Sequence, residues 1–212
     1  TDLLSSVRMA SDAIEYAKEH GLFVQLSAED ATRTSLENLF ALYKEAEERK
    51  ADRLGIADTT GCIRPGGMKY LVENIRRNFS TELSVHCHDD FGLAVANSLA
   101  AYEAGIDAIS VSVNGLGERC GNAALEEVVM GLYALYGVDL GFKTEVIQAL
   151  SEMVSRFSGV PIPINKAIVG SNAFRHESGI HVAAVLKCPF TYESYDPQLV
   201  GQSRRLTFGR HS

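Results

Sequence analysis

Four apolar segments recur at nearly constant spacing in the first half of the chain, and each is followed by a helical pattern of apolar residues. The segments end near Ser27, Asp58, His88 and Asn114, so successive ends lie about 30 residues apart, the length of one strand-helix unit. Repeated units of this kind with apolar strands predict a parallel sheet covered by helices, which is an α/β fold. The carboxyl ends of parallel strands are also where ligands bind in such folds.

The apolar spacing predicts the following elements. Strands are expected at 22–27, 53–58, 83–88 and 108–115, and helices at 3–17, 30–50, 65–79, 92–105, 123–136 and 144–157. The rhythm changes after Gly141, where we expect a helix with Thr144 as its N-cap and Gly159 at its end, followed by an irregular connection and a polar tail. We therefore predict a domain boundary near residue 142.

The composition excludes several classes of protein. The net charge of −7 argues against a nucleic-acid surface, and no apolar run approaches the roughly 20 residues that a membrane helix needs. The four cysteines show no CxxC spacing, which favours a reducing, cytoplasmic location. The basic pair Arg204–Arg205 is expected to be a solvated surface pair.

The segment "HCHDD" contains two histidines, His86 and His88, which are two residues apart on a predicted strand and so face the same side of the sheet. On an arbitrary strand such a pair is more often structural. Here the pair ends a strand, as do Glu29, Asp58 and Asp89, and this position favours a metal site. Nitrogen and oxygen ligands with open coordination positions predict a catalytic divalent ion such as Zn, Mn, Co or Mg.

Two further motifs follow. The glycines of "NGLGERCGN" do not form GxGxxG, so this loop either closes the sheet or presents Glu118, Arg119 and Asn122 to a substrate. The histidines of "HESGIH" are five residues apart, whereas a zinc-protease HExxH motif needs a separation of four. The motif therefore offers His176, Glu177 and His181, with Tyr192 beyond it, for acid-base chemistry.

These motifs, together with "NAFRHESGIH" and "TYESYDPQLVG", resemble the homocitrate synthase and 2-isopropylmalate synthase family along essentially the whole chain. The resemblance implies a metal-dependent TIM (β/α)8 barrel that condenses acetyl-CoA with a 2-oxo acid. Residues 1–142 would be the C-terminal half of that barrel, and residues 143–212 a small, mostly helical linker that reaches a partner subunit. HxHDD alone would also fit related lyases such as HMG-CoA lyase or an aldolase.

The resemblance also implies a role for each matching residue. His86, His88 and Asn122 match the metal site, and Ser27, Glu29 and Thr59 match the pocket for the 2-oxo acid. His181 and Tyr192 match a catalytic pair that enters the neighbouring subunit of a homodimer, where Glu29 completes the acid-base group. His176 and Glu177 are expected to have supporting roles.

Within the family, "HESGIH" and "RRLTFGRHS" are most similar to homocitrate synthases, which implies 2-oxoglutarate as the substrate. 2-Isopropylmalate or citramalate synthase is the alternative. The resemblance also implies that a preceding barrel half carries an acidic metal ligand and an arginine. We therefore expect the 212-residue chain alone to be inactive.

Overall fold

The computed structural model describes residues 2–207 and divides into two compact units, the first ending at Ala123 and the second beginning at Ala124. The boundary predicted near residue 142 lies within the second unit, and the functional division proposed for it stays a prediction. The end of "RRLTFGRHS" lies outside the described residues. None of the helices within residues 2–207 is long and apolar enough to cross a membrane.

The first unit alternates strands and helices as predicted. Its elements are α1 (Leu3–Glu19), β1 (Gln25–Ala28), α2 (Leu36–Glu48), β2 (Arg53–Asp58), α3 (Pro65–Asn78), β3 (Glu82–Cys87), α4 (Ala94–Glu103) and β4 (Ala108–Ser110). The strands form one sheet in the order β1-β2-β3-β4, and all neighbouring strands are parallel. This topology confirms the predicted α/β class. Both β1 and β4 are edge strands of the described sheet. Unpaired strand edges favour association with other chains. The expected inactivity of the 212-residue chain alone stays a prediction.

The central strands carry the core of this unit. Leu54 and Ile56 on β2 and Leu83 and Val85 on β3 are almost completely buried, as apolar residues of central strands should be. The fully buried Tyr43 on α2 donates a hydrogen bond to the carbonyl oxygen of Gly55 (2.6 Å), so its hydroxyl is satisfied inside the core. Because all four strands are parallel, their carboxyl ends lie at the same edge of the sheet.

The fourth strand is shorter than predicted. It ends at Ser110, and Val113–Gly115 forms a 3-10 turn in which Asn114 has a left-handed backbone (φ 61°). The amide of Ser112 donates to the carbonyl oxygen of Ala123 (3.0 Å), which takes the chain away from β3. The predicted strand end near Asn114 is therefore wrong, because the glycine loop folds back on itself.

The second helix also begins later than predicted. A 3-10 turn covers Ala31–Arg33, and the side chain of Ser35 accepts a hydrogen bond from the amide of Asn38 as the N-cap of α2. The residues between β1 and α2 are thus a loop at the strand end, where they are available to the site.

The second unit is mostly helical. It contains α5 (Leu125–Tyr136), α6 (Ile147–Ser158), a strand β5 (Arg175–His176), α7 (Gly179–Lys187) and a strand β6 (Arg205–Leu206) that pairs in parallel with β5. Its apolar core is the cluster Val129, Met130, Ile147, Val169, Phe174 and Val200. Gly159 ends α6 with a left-handed backbone (φ 73°), as predicted. The predicted N-cap at Thr144 is wrong, because Thr144 begins the 3-10 turn Thr144–Val146, and Val146 is the residue that precedes α6.

Candidate active site

The two histidines of the metal-site prediction lie side by side. His86 on β3 and His88, directly beyond it, place their Nε2 atoms 3.3 Å apart, so both rings face the same side. The other ring nitrogen of His86 lies 3.2 Å from the hydroxyl of Ser110 on β4. Burial, and then the neighbouring His88, lower the pKa of His86, an effect that Glu29 opposes. The neutral imidazole, which is the form that binds metal ions, is therefore favoured.

The third predicted ligand, Asn122, is paired through its backbone with His88 in an isolated antiparallel bridge. Its Nδ2 donates to the carbonyl oxygen of Leu116 (3.2 Å), which fixes the orientation of the amide. Its Oδ1 is buried and has no hydrogen-bond partner among residues 2–207, an arrangement that costs free energy unless another group satisfies the oxygen. Two imidazoles and an amide oxygen fit a divalent ion that keeps open positions. Within residues 2–207 no group of three or more His, Cys, Asp or Glu residues could hold a metal ion.

The glycines of the "NGLGERCGN" loop are required by its close packing. A Cβ atom on Gly117 would clash with the side-chain amide of Asn122, and one on Gly121 (φ 93°) would clash with the carbonyl oxygen of Gly115. That same carbonyl oxygen accepts a hydrogen bond from the amide of Asn122 (3.0 Å). The loop therefore closes on itself and delivers Asn122 beside His88.

Glu29 and Thr59, both predicted to contact the 2-oxo acid, are joined by a hydrogen bond. The hydroxyl of Thr59 donates to Oε2 of Glu29 (3.0 Å) and accepts from the amide of Asp30 (2.8 Å). Ser27, Glu29 and His86 line one cavity of about 350 Å³ on this face of the sheet. The structure thus brings Ser27 and Glu29 into one cavity with the first predicted metal ligand and links Thr59 to Glu29.

One position in the lining of this cavity, Gly55 beside Ser27, leaves no room for a side chain. Gly55 lies opposite Ser27 in the register of β1 and β2. A Cβ atom on Gly55 would lie 2.5 Å from Oγ and 3.1 Å from Cα of Ser27, so the two backbones approach as closely as they do only because position 55 is glycine.

Arg119 of the glycine loop binds two neighbouring loops. Its Nε and Nη2 donate to the two carboxylate oxygens of Asp90 (2.8 and 2.9 Å), and its Nη2 also donates to the carbonyl oxygen of Thr59 (2.6 Å). The guanidinium lowers the pKa of Asp90, chiefly by this hydrogen bond. Arg119, which the sequence places among substrate-facing residues, is thus bound to the protein itself in this structure.

The other acidic residues at the strand ends hold the backbone of their loops. Asp58 is fully buried, and its Oδ1 accepts hydrogen bonds from the hydroxyl of Thr32 (2.8 Å) and the amide of Cys62 (3.3 Å). Asp89 accepts a hydrogen bond from the amide of Ala94 (2.8 Å) at the start of α4. These roles were not predicted, because nothing in the sequence indicates which amides a carboxylate will meet.

In the second unit, the two predicted catalytic residues are in contact. The rings of His181 on α7 and Tyr192, which follows the 3-10 turn Pro189–Thr191, lie with centroids 4.0 Å apart and an interplanar angle of 30°. Tyr192 also lines a second cavity of about 300 Å³ within this unit. Histidine and tyrosine are both residue types that can transfer protons, and the structure brings the two side chains together.

A buried ion cluster lies next to this pair. Glu193 accepts hydrogen bonds from His176 and Arg204, and its side chain is only 3% exposed. Arg204, predicted to be a solvated surface residue, is instead a partner of this carboxylate. No sequence pattern predicts the cluster, because Glu193 lies 17 residues after His176 and 11 residues before Arg204 in a polar tail.

Two protein families match the chain in succession. The family described as HMGL-like matches residues 1–154, and a family described as homocitrate synthase post-HMGL domain-like matches residues 168–212. Homocitrate synthase AksA of Methanopyrus kandleri is 58% identical over 202 residues, covering 95% of this chain and 51% of that protein. A 2-isopropylmalate synthase of Methanocaldococcus jannaschii is 51% identical over 206 residues, covering 97% of this chain and 40% of that protein. The chain thus spans about half the length of the curated relatives it matches.

Solved structures show the same fold. An HMG-CoA lyase of Bacillus subtilis superimposes with a TM-score of 0.68 at 23% identity, covering 77% of this chain and 59% of that one. A hydroxymethylglutaryl-CoA lyase of Pseudomonas aeruginosa gives 0.63 at 22% identity, covering 76% of this chain and 58% of that one. Together with the parallel strands, these neighbours confirm the TIM-barrel type of fold. The family matches confirm the predicted resemblance.

Proposed function

The chain belongs to the HMGL-like family, and on this basis we propose that the protein containing it condenses acetyl-CoA with a 2-oxo acid. The observation that carries the proposal is the contact between the rings of His181 and Tyr192 in a region that matches the homocitrate synthase post-HMGL family. The barrel fold alone is shared with lyases. The additional region favours a synthase over a lyase.

Three residues are assigned to the 2-oxo acid and three to proton transfer. Ser27, Glu29 and Thr59 would contact the acid, since two of them line the cavity and the third is hydrogen-bonded to Glu29. Glu29, His181 and Tyr192 form the acid-base group. One of them accepts a proton from the methyl group of acetyl-CoA, so that this carbon can attack the oxo carbon. The group returns a proton to the new alkoxide, and water then hydrolyses the thioester and releases CoA.

His86, His88 and Asn122 would hold a divalent metal ion, for which Mg, Mn, Zn and Co are the candidates. A bound ion supplies Lewis-acid polarisation of the carbonyl group that is attacked. The protein's own part is to hold the Nε2 atoms of the two imidazoles 3.3 Å apart and to orient the amide of Asn122 with the hydrogen bond to Leu116.

We further propose a homodimer with shared active sites, in which His181 and Tyr192 of one subunit complete the site of the other. The support is the family resemblance together with the location of these residues in the second unit, whereas the metal-site residues belong to the first.

We propose 2-oxoglutarate as the substrate, giving homocitrate, because the relative at 58% identity is named a homocitrate synthase. The second candidate is 2-isopropylmalate synthase activity, which the relative at 51% identity favours. Citramalate synthase activity, with pyruvate as the acid, belongs to the same alternative.

The test uses the full-length protein encoded by the gene that includes this sequence, called the full-length protein below. It is incubated with Mn, acetyl-CoA and one acid at a time from 2-oxoglutarate, 3-methyl-2-oxobutanoate and pyruvate, and the release of free thiol is followed. We expect release with 2-oxoglutarate, and none without an acid. Release only with another acid would replace the proposed substrate, and no release with any acid would overturn the proposed condensation.

A further inference from the structure

Glu193 is a charged residue in a buried position. Its Oε1 accepts hydrogen bonds from Nε2 of His176 (3.0 Å) and Nε of Arg204 (2.8 Å), and its Oε2 accepts one from Nη2 of Arg204 (2.6 Å). Arg204 first, and then His176, hold the pKa of Glu193 below its ordinary value against the effect of burial. A buried carboxylate persists only when it is paired in this way, so removing one partner is costly.

This carboxylate is the direct neighbour of Tyr192 in the chain. The backbone amides of Tyr192 and Glu193 both donate to the carbonyl oxygen of Pro189 at 3.1 Å, so the two residues share one rigid turn. Tyr192 itself is 45% exposed, so packing holds its ring over only part of its surface. Its backbone position is therefore a main determinant of where the ring lies.

The two partners of Glu193 belong to the strand pair that leads to His181. His176 is on β5, Arg204 directly precedes β6, and Arg175 and His176 pair in register with Arg205 and Leu206. After β5, α7 begins at Gly179 and carries His181 in its first turn. The carboxylate of Glu193 thus connects the turn that contains Tyr192 to the β5–β6 strand pair, which precedes the helix of His181.

We propose that Glu193 is a positioning residue that holds Tyr192 against His181, with His176 and Arg204 as its anchors. The proposal gives the first histidine of "HESGIH" a role distinct from proton transfer, and it explains why a charge is buried beside an exposed tyrosine. The expected effect of Glu193 on turnover rests on the proposed function, whereas its expected effect on the distance between the rings of Tyr192 and His181 does not.

The kinetic test is a double-mutant cycle in the full-length protein. Glu193→Gln keeps the size of the side chain and one acceptor oxygen but removes the charge. We expect kcat to fall on the order of 10- to 100-fold, as small displacements of catalytic groups do, with KM for 2-oxoglutarate unchanged within about twofold. In a Tyr192→Phe background the same substitution should cause no further fall, because the group through which it acts is already altered. An equal fall in both backgrounds would show a merely structural role and overturn the proposal.

The control is Glu152→Gln, since Glu152 is an exposed glutamate on α6 outside the network, and it should leave kcat unchanged. If Glu193→Gln does not fold, Arg204→Lys takes its place, because lysine keeps the charge but cannot bind both carboxylate oxygens as a fork.

A crystal structure of the same variant tests the geometry without any assay. We expect the ring centroids of Tyr192 and His181 to separate beyond 4.0 Å in Glu193→Gln and to stay in contact in Glu152→Gln. An unchanged ring pair would overturn the positioning role even if turnover fell. If the wild-type protein has no condensation activity, the proposed function is refuted but the positioning role is not, because the distance between the two rings can still be measured.

Discussion

Arg119 donates a hydrogen bond to the carbonyl oxygen of Thr59, 60 positions earlier in the chain, while binding both carboxylate oxygens of Asp90. Thr59 in turn donates to Glu29, so one guanidinium fixes the loop that orients a predicted catalytic carboxylate. Lysine cannot make all three bonds, because it lacks the planar fork. We therefore expect Arg119→Lys to lower kcat of the full-length protein by about tenfold.

The same substitution should cost little stability, because the ion pair between Arg119 and Asp90 is partly exposed. Steady-state kinetics and thermal unfolding measure the two effects. Arg49→Lys, at the exposed ion pair that Arg49 makes with Glu45 at the end of α2, is the matched control and should change neither. A loss of turnover that matched the loss of folded protein would contradict the assignment.

His86→Ala is expected to remove bound metal from the full-length protein and to abolish metal-dependent turnover. The reason is that one of two neighbouring imidazole ligands is lost, while the ring is partly exposed and little of the core depends on it. Metal content per subunit after gel filtration is the measurement, and the exposed His20→Ala is the control. Unchanged metal content in His86→Ala would refute the ligand assignment.

Gly117→Ala should weaken metal binding although it replaces none of the three proposed ligands. The added Cβ would meet the side-chain amide of Asn122 and turn its Oδ1 away from its present position. We expect an increase of roughly 10- to 100-fold in the metal dissociation constant, the range usual for groups that orient ligands. Gly66→Ala in α3 is the control, because nothing lies within 4 Å of its Cβ position. Equal metal affinity in the two variants would argue against a role for Asn122.

Shared active sites can be tested by mixing two inactive variants of the full-length protein. His86→Ala damages the metal site, and His181→Ala damages the acid-base pair. If one subunit completes the site of another, a mixed dimer contains one intact site, and activity should return to about a quarter of the wild-type value after random exchange of subunits. Persistent inactivity after exchange verified by mass spectrometry would indicate sites built within one chain.

The lowered pKa of Glu193 predicts an acid-sensitive contribution to stability. A carboxylate whose pKa is lower in the folded than in the unfolded state stabilises the fold above its unfolded pKa, near 4.5, and this contribution is lost as the pH falls through the lower folded value. Glu193→Gln should therefore lose less stability than the wild type between about pH 5 and pH 3. Urea unfolding at a series of pH values checks this, and parallel curves for the two proteins would contradict it.

The rhythm of the first unit was predictable because the central strands bury most of their residues and carry apolar side chains at most buried positions. β2 ends at Asp58 as predicted, and β3 ends one residue before His88. The shortening of β4 was not predictable, since it depends on a hydrogen bond from Ser112 to Ala123 that forms only when the glycine loop folds back.

The site was predictable where chemistry lies in short motifs. The facing rings of His86 and His88 follow from strand periodicity. In contrast, the contact of Arg119 with Thr59 and that of Glu193 with Arg204 join distant parts of the chain through single side chains. Such contacts leave no periodic pattern, so only the folded structure reveals them.

The close approach of Gly55 and Ser27 couples two positions that lie on different strands. Any larger residue at 55 collides with the Cα of Ser27 as well as its hydroxyl, so changing the residue at 27 to glycine removes only part of the obstruction. A larger residue at position 55 therefore requires a shift in the backbone of β1 or β2, and not merely the exchange of one side chain. In proteins that share this sheet, we accordingly expect the lining of the cavity to vary more readily at other positions than at 27 and 55.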